Sequence, residues 1–324
     1  MKAAVLHAFG QAPRWEEFGQ PVPQDGEELI EVTAAPLNNI DRVRADGSHY
    51  SVRTGQYGDG GLPAVPGVIG AGRRPDGQRV LFGSRCGTMA QYSVARPEMT
   101  FPIPDGLDDA VAAAAWNPGL SAWLALGWRC ELAGGETVLI LGATGVTGQL
   151  AVQAARHFGA GRVVAAGRNQ QVLDRLPELG ADAIIQLSQP DDALAATFAA
   201  EGGSDGYDLV VDYLWGHPTE VFCASIERHD AQPRSGRVRL LQAGDMAGPA
   251  ISLPAAVLRS AGLEIFGQGT GTMPPADVIT GLLRELLDLL AIGKVKVDID
   301  RVPLSTVGEV WARDQRGRWA VFIP

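Results

Sequence analysis

The sequence predicts an α/β protein in which a six-stranded parallel sheet, covered by helices, is set into a β-rich domain. Three observations predict it. Between residues 136 and 268, short apolar runs alternate with amphipathic stretches, the pattern of a parallel sheet buried on both faces. Residues 1–115 show short strand-like runs parted by Gly, Pro and Asp clusters. At 324 residues the chain exceeds the length over which one core keeps growing, so two domains are expected.

Taken in order, the opening Met1-Lys2-Ala3-Ala4-Val5-Leu6 is too short in its apolar part for a signal peptide and reads as a first strand over 2–6. Further strands are expected at 28–34, 78–81 and 90–94. Residues 46–66 form a long glycine-rich loop holding His49, Tyr50 and Tyr57, and loops of that length are functional or disordered. Residues 110–115 and 120–126 read as helices broken by Pro118-Gly119. Then come strands at 137–141, 162–166, 183–186, 209–212, 238–242 and 263–266. Helices fit between them at 146–158, 170–178, 191–200, 218–227 and 254–260. Six strands is the count of a complete dinucleotide-binding fold. A helix over 276–290 puts Arg284, Glu285 and Asp288 outward, and strand-like pieces at 294–298 and 319–323 return to the first domain. The expected limits are 1–118, 119–267 and 268–324.

Composition narrows the function. Apolar residues make up 46% and charged residues 20%, ordinary for a globular protein. No apolar run reaches the length of a membrane span. Cys86, Cys130 and Cys223 are far apart, without metal or disulfide spacing, which fits a reducing cytoplasm. A net charge of −10 disfavours nucleic acid and anionic membranes, leaving a small molecule as the expected partner.

The chemistry is anchored in E-T-V-L-I-L-G-A-T-G-V-T-G-Q-L-A-V-Q, residues 136–153. An apolar strand runs into Gly142, Ala143, Thr144, Gly145, Val146, Thr147 and Gly148, and helical periodicity begins inside the glycine run. Such a turn presents backbone N–H groups and a helix N-terminus to an anion, and glycine lets a pyrophosphate approach. Ala143 occupies the first glycine position of the strict G-x-G-x-x-G template, so an ordinary strand–helix turn of small residues stands as the alternative. The second strand ends in Gly167-Arg168-Asn169, where NAD enzymes carry an acid. Arg168 offers a planar fork suited to phosphate, so NADP(H) is the expected cofactor; a solvated arginine is the alternative. Asp174, the nearest acid downstream, lies a turn into the following helix.

With these residues the whole chain resembles the medium-chain dehydrogenase/reductase superfamily, in its zinc-free quinone oxidoreductase branch. The carriers are the opening M-K-A-A-V-L, Pro36-Leu37-Asn38-Asn39-Ile40-Asp41, Pro66-Gly67-Val68-Ile69-Gly70-Ala71-Gly72 and Asn117-Pro118-Gly119-Leu120-Ser121-Ala122-Trp123. Leu179-Gly180-Ala181-Asp182 and the ending Arg318-Trp319-Ala320-Val321-Phe322-Ile323-Pro324 also fit. The resemblance implies a GroES-like β-domain, an inserted Rossmann domain and a cleft between them. Zinc members carry a cysteine where this chain has Asn38, His-Glu where it has Val68-Ile69, and a further ligand at Asn117. Amide and aliphatic side chains do not supply the sulfur, imidazole or carboxylate that zinc takes, so no metal is expected.

The resemblance also implies roles. It places Asn38 beside the nicotinamide, with Asp41 as a structural or supporting acid and Tyr50 as a polar wall able to donate a proton. A turn asparagine bonded to its own backbone is the alternative for Asn38. A second tyrosine common in that branch is replaced by Val43, and His49 and Tyr57 are other candidate donors. Ser121, Gly244, Phe266 and Gly267 fall at the nicotinamide end, and Leu214 and Trp215 near the ribose. Arg316 and Arg318 either approach the cofactor phosphates or remain solvated. Without a Lewis acid, hydride transfer favours acceptors that are already electrophilic. The expected activity is NADPH-dependent reduction of a quinone or α,β-unsaturated carbonyl. An enoyl-thioester reductase and an NADPH-binding scaffold with little turnover are the alternatives. In that branch the edge strand, here residues 262–266, pairs with a second subunit, so the resemblance implies a homodimer, with a tetramer as the alternative.

Overall fold

The computed structural model describes residues 1–49, 52, 61–228, 236–313 and 317–324. Tyr50, Tyr57 and Arg316 lie outside these residues. The chain groups into two compact units, Met1–Asn117 with Leu287–Pro324, and Pro118–Leu286. Among the described residues no helix is long and apolar enough to cross a membrane.

The first unit is β-rich. β1 (Lys2–Val5) pairs antiparallel with β2 (Arg14–Glu17). There follow β3 (Glu28–Pro36), α1 (Asn39–Ala45), β4 (Ile69–Arg73), β5 (Arg79–Gly83), β6 (Tyr92–Ala95) and β7 (Thr100–Pro102). Leu6, Leu37, Met89 and Phe322 are fully buried in its core. Sequence reasoning missed β4, because glycines at 70 and 72 obscure its alternation. Here glycine is a packing requirement: a Cβ at Gly72 would lie 2.5 Å from Ile30 Cγ2 and 2.6 Å from Glu31 O.

The expected break at Pro118 is corrected by the structure. α2 runs unbroken as Asp109–Trp123 with Pro118 inside, and continues into a π-helical stretch, Leu124–Arg129. Packing overrides the local cost of proline. Gly119 lies so close to Leu286 that a Cβ there would sit 2.5 Å from Leu286 Cδ2.

The second unit holds β8 (Thr137–Leu141), α3 (Val146–His157), β9 (Arg162–Gly167), α4 (Gln170–Leu173), β10 (Ala183–Gln186), α5 (Asp191–Gly202), β11 (Leu209–Asp212), α6 (Gly216–Ile226), β12 (Val238–Gln242), α7 (Ala255–Ala261) and β13 (Leu263–Gly267). The six strands are parallel in the order β10-β9-β8-β11-β12-β13. The order reverses between β8 and β11, the point at which open α/β sheets bind ligands outside the strand carboxyl ends. The helix expected over 170–178 stops at Leu173, and a 3₁₀ turn, Leu176–Leu179, follows, because Pro177 cannot continue an α-helix.

α8 (Ala276–Ala291) leads back to the first unit. The strand expected at 294–298 is corrected: the N–H groups of Lys294 and Val295 bond back to Leu289 O at the helix end and are unavailable to a ladder. The strand forms later, as β14 (Ile299–Pro303), parallel to β15 (Trp319–Ile323). The larger sheet then reads β14-β15-β3-β4-β5-β7, with β6 also on β3.

Candidate functional site

The second unit collects polar backbone at the carboxyl ends of its strands. After Leu141 the chain turns through Gly142, at φ +89°. The N–H groups of Gly142 and Ala143 both bond Ala166 O, at 3.0 and 2.8 Å, which ties this turn to the end of β9. α3 starts after Gly145, and no side chain caps it. The first-turn N–H groups of a helix have no acceptor within the helix. Each glycine has a different reason. A Cβ at Gly148 would lie 2.3 Å from Gly142 O and 2.5 Å from Ala143 Cα, so helix and turn touch backbone to backbone. At Gly145 the nearest atom would be Gly142 O at 3.5 Å, and this residue is exposed. Ala143, the departure from the strict template, is fully buried. The turn is therefore a cradle with its open side at Gly145, which fits a pyrophosphate.

The neighbouring strand ends complete the edge. A Cβ at Gly167 would lie 2.3 Å from Thr144 Cγ2, so the end of β9 is pressed against the glycine turn. Arg168 is exposed, and its guanidinium has no ion-pair partner among the described residues; its carbonyl accepts from Gln186 Nε2 at 3.0 Å. The Asn169 side chain caps α4, accepting from Val172 N at 3.3 Å. No carboxylate stands at this strand end, as the ribose reading requires for a phosphorylated cofactor.

Across the reversal point, Asp212 organises the end of β11, and sequence reasoning missed it. It is fully buried. Its carboxylate accepts from Leu214 N at 2.8 Å, Trp215 N at 3.0 Å and the Thr219 hydroxyl at 2.6 Å. Burial pushes its pKa up, and these hydrogen bonds oppose the shift. The bonds hold Trp215 at φ +54°, a conformation rare outside glycine. They also set Leu214 against Gly142, where a Cβ would meet Leu214 Cδ2 at 3.1 Å. The signal was present: one acid closing an otherwise apolar strand. Gly244 lies under the same turn, and a Cβ there would be 2.7 Å from Tyr213 O. Further along the edge, Arg129 covers the Phe266 ring at 5.3 Å and donates to Gly267 O at 3.2 Å. The Ser121 carbonyl accepts from Gln268 Nε2 at 3.0 Å.

The first unit holds the other candidates. Asn38 is fully buried and Asp41 nearly so. Asp41 accepts from Asn38 N at 2.8 Å, Asn38 Nδ2 at 3.1 Å and Val68 N at 2.9 Å. Asn38 Oδ1 accepts from the Trp319 indole at 3.3 Å. An acceptor-only carboxylate on one side and a donor-only indole on the other fix the orientation of the amide. Burial pushes the Asp41 carboxyl up to about 6, against the pull of these hydrogen bonds and of Arg44. Burial, then the charge of Arg44, lowers His49. Arg318 lies in this unit too, with Nε 3.1 Å from Asp300 and Nη2 donating to Ile299 O at 3.2 Å. The structure thus gathers the turn, Arg168, Leu214, Gly244, Phe266, Gly267 and Ser121 in one unit, and Asn38, Asp41 and Arg318 in the other. Among the described residues no group of three or more His, Cys, Asp or Glu is placed to hold a metal ion.

Comparison with known proteins gives the following. A family model described as a zinc-binding dehydrogenase matches residues 146–226. The chain is 30% identical over 302 residues to erythronolide synthase EryA2 of Saccharopolyspora erythraea, covering 92% of this chain but 8% of the synthase. It is 24% identical to tdiC of Emericella nidulans, a probable NADPH-dependent quinone reductase, with 100% of each covered. The structure of Escherichia coli quinone oxidoreductase complexed with NADPH matches at a TM-score of 0.81 and 21% identity, with 100% of each chain covered. That last likeness is one of fold.

Proposed function

We propose that this chain, a member of the quinone oxidoreductase branch of the medium-chain dehydrogenase/reductase superfamily, uses NADPH to reduce a small electrophilic acceptor, a quinone or an α,β-unsaturated carbonyl. One observation carries the reading: a glycine cradle at the reversal point of the sheet, beside a strand end that offers Arg168 and no acid. When bound, the nicotinamide supplies the hydride. The protein's part is binding and orientation. Within residues 142–148 the N–H groups of Gly142 and Ala143 are engaged by Ala166 O and that of Gly145 by Gly142 O, so the pyrophosphate would be held by the N–H groups at the start of α3 and by its dipole. Gly167, Arg168 and Asn169 form the adenosine end, with Arg168 facing the 2′-phosphate. Leu214, Gly244, Phe266, Gly267 and Ser121 line the far end.

In the first unit, Asn38 and Asp41 act as positioning residues, tying the start of α1 to Val68 and to β15. The positions that carry metal ligands in zinc relatives are Asn38, Val68, Ile69 and Asn117, a set without an anionic or imidazole donor. Chemistry without a Lewis acid then requires an acceptor that is already polarised. The edge strand β13 pairs on one side with β12, and the expected homodimer would cover its other side.

The test is NADPH absorbance at 340 nm against a panel of quinones, enals and enones, with simple alcohols and NADP⁺ as the reverse control. Oxidation by conjugated acceptors and silence with aliphatic alcohols is the expected pattern. If NADPH binds but no acceptor turns over, the chain is a cofactor-binding scaffold. A second reading, reduction of an enoyl thioester, is favoured by the 302-residue match inside a large synthase. Adding crotonyl thioesters to the panel separates the two.

A further inference from the structure

Three polar atoms in the second unit are buried without a hydrogen-bond partner: Trp123 Nε1, the Tyr213 hydroxyl and Gln268 Oε1. The last two stand at the carboxyl edge of the sheet: Tyr213 follows β11 and Gln268 follows β13. The rest of Gln268 is engaged. Its N–H donates to Gln242 O at 2.9 Å, and Nε2 donates to Ser121 O at 3.0 Å. That second bond decides which way the amide faces, so the atom left over is an acceptor. The Ser121 hydroxyl lies beside the Tyr213 phenol without closing a hydrogen bond of normal geometry. Tyr213 is only 8% exposed, and burial raises its pKa, so it remains a neutral donor.

A buried polar atom left unpaired costs about 1–3 kcal/mol, and folded proteins keep few of them. Here two flank one serine at a strand edge built for a ligand. Their needs are complementary: Gln268 wants an N–H, and Tyr213 wants an acceptor. A primary carboxamide carries both on one carbon.

We propose that Tyr213 and Gln268 read the carboxamide of the nicotinamide ring, whose NH₂ donates to Gln268 Oε1 and whose carbonyl accepts from the Tyr213 hydroxyl. This rests on the reading of the chain as an NADPH-binding reductase. The two residues are positioning residues. Gripping the carboxamide at both ends stops the ring turning about its bond to the ribose, and so fixes which face can pass a hydride.

Binding, measured by titration calorimetry, tests it on the full chain. Three probes are used: NADPH, its 3-acetylpyridine analogue (a methyl in place of the amide nitrogen) and 2′,5′-ADP, which has no nicotinamide. Wild type binds NADPH about ten-fold tighter than the acetylpyridine analogue, and Gln268→Leu abolishes that preference. Tyr213→Phe weakens NADPH about ten-fold, leaves 2′,5′-ADP unchanged and leaves the thermal midpoint of the free protein equal or higher, because it deletes an unpaired group. Unchanged NADPH affinity in Tyr213→Phe overturns the proposal, as does an equal loss for 2′,5′-ADP. A lowered midpoint with unchanged affinity assigns the pair to an internal water instead. Should wild type bind neither NADPH nor 2′,5′-ADP, the cofactor reading itself fails.

Discussion

The Asn38–Asp41 cluster of the first unit and the carboxyl edge of the second handle polar groups in opposite ways. In the first, Asn38, Asp41, Val68 N and the Trp319 indole satisfy one another in a closed set of hydrogen bonds. In the second, the carboxyl edge leaves groups over: an uncapped helix start, an arginine without an ion-pair partner among the described residues, a phenol and an amide oxygen. Closed networks hold loops together, and their energy is already realised in the free protein. Open ones carry a cost that a ligand removes. The contrast separates residues that build the fold from residues that wait for a ligand, and each mutation below is aimed at one side of it.

Gly148 should give the largest effect, because it serves both sides. Its Cβ would meet Gly142 O and Ala143 Cα, backbone atoms with no rotamer to give. Gly148→Ala must therefore lift α3 off the turn after β8. We expect a loss of about 3 kcal/mol in urea unfolding and a weakening of NADPH by roughly 100-fold as the N–H groups shift. Normal stability with normal affinity would show that α3 and the turn tolerate a side chain between them.

Asp41 tests the closed side through pH. An ordinary aspartate titrates near ~3.9, whereas burial holds this one at about 6. Between those values the folded chain binds more protons than the unfolded chain, so stability falls as pH rises through the window and levels off above it. The full contribution is roughly 3 kcal/mol, from about two pH units at 1.36 kcal/mol each. Urea unfolding at pH 4.5 and 7 should show a larger drop for wild type than for Asp41→Asn. Parallel curves for the two proteins would count against it.

The same contrast explains what could be read from sequence. The six strands of the second unit are legible because each is an apolar run buried on both faces, and four of them fall at the expected limits: Thr137–Leu141, Ala183–Gln186, Leu209–Asp212 and Val238–Gln242. In the first unit β2 reads R-W-E-E and β4 reads I-G-A-G-R, and neither carries an apolar alternation. Their stability comes from partners distant in sequence. The glycine turn was legible because its chemistry is local. Asp212, Tyr213 and Gln268 were not, because their meaning lies in which atoms remain unpaired, and only the packed structure shows that.

Arg168 probes the open side alone. Among the described residues its guanidinium makes no ion pair, so Arg168→Ala should leave the unfolding midpoint unchanged. NADPH affinity should fall about ten-fold through loss of a charge-assisted contact, with NADH affinity unaffected. The gap between the two cofactors should also narrow at high salt in wild type, as screening weakens an exposed charge pair. An equal loss for both cofactors would move the 2′-phosphate elsewhere.

The smallest and sharpest change is Gly145→Ala. Its φ of −76° is open to any residue, and the closest atom to a new Cβ would be Gly142 O at 3.5 Å, an ordinary contact. Alanine is a poorer helix N-cap than glycine, by about 1 kcal/mol. The fold should therefore lose far less than it does in Gly148→Ala, while a ligand seated in the cradle should feel the substitution directly. A methyl on the open side pushes a pyrophosphate away from the N–H groups, and we expect NADPH to weaken about five-fold with 2′,5′-ADP following it. Set against Gly148→Ala, three residues away in the same motif, this pair of variants divides one glycine run into a position the backbone needs and a position chiefly the cofactor needs. If Gly145→Ala destabilises the protein as much as Gly148→Ala does, the run is an ordinary strand–helix turn.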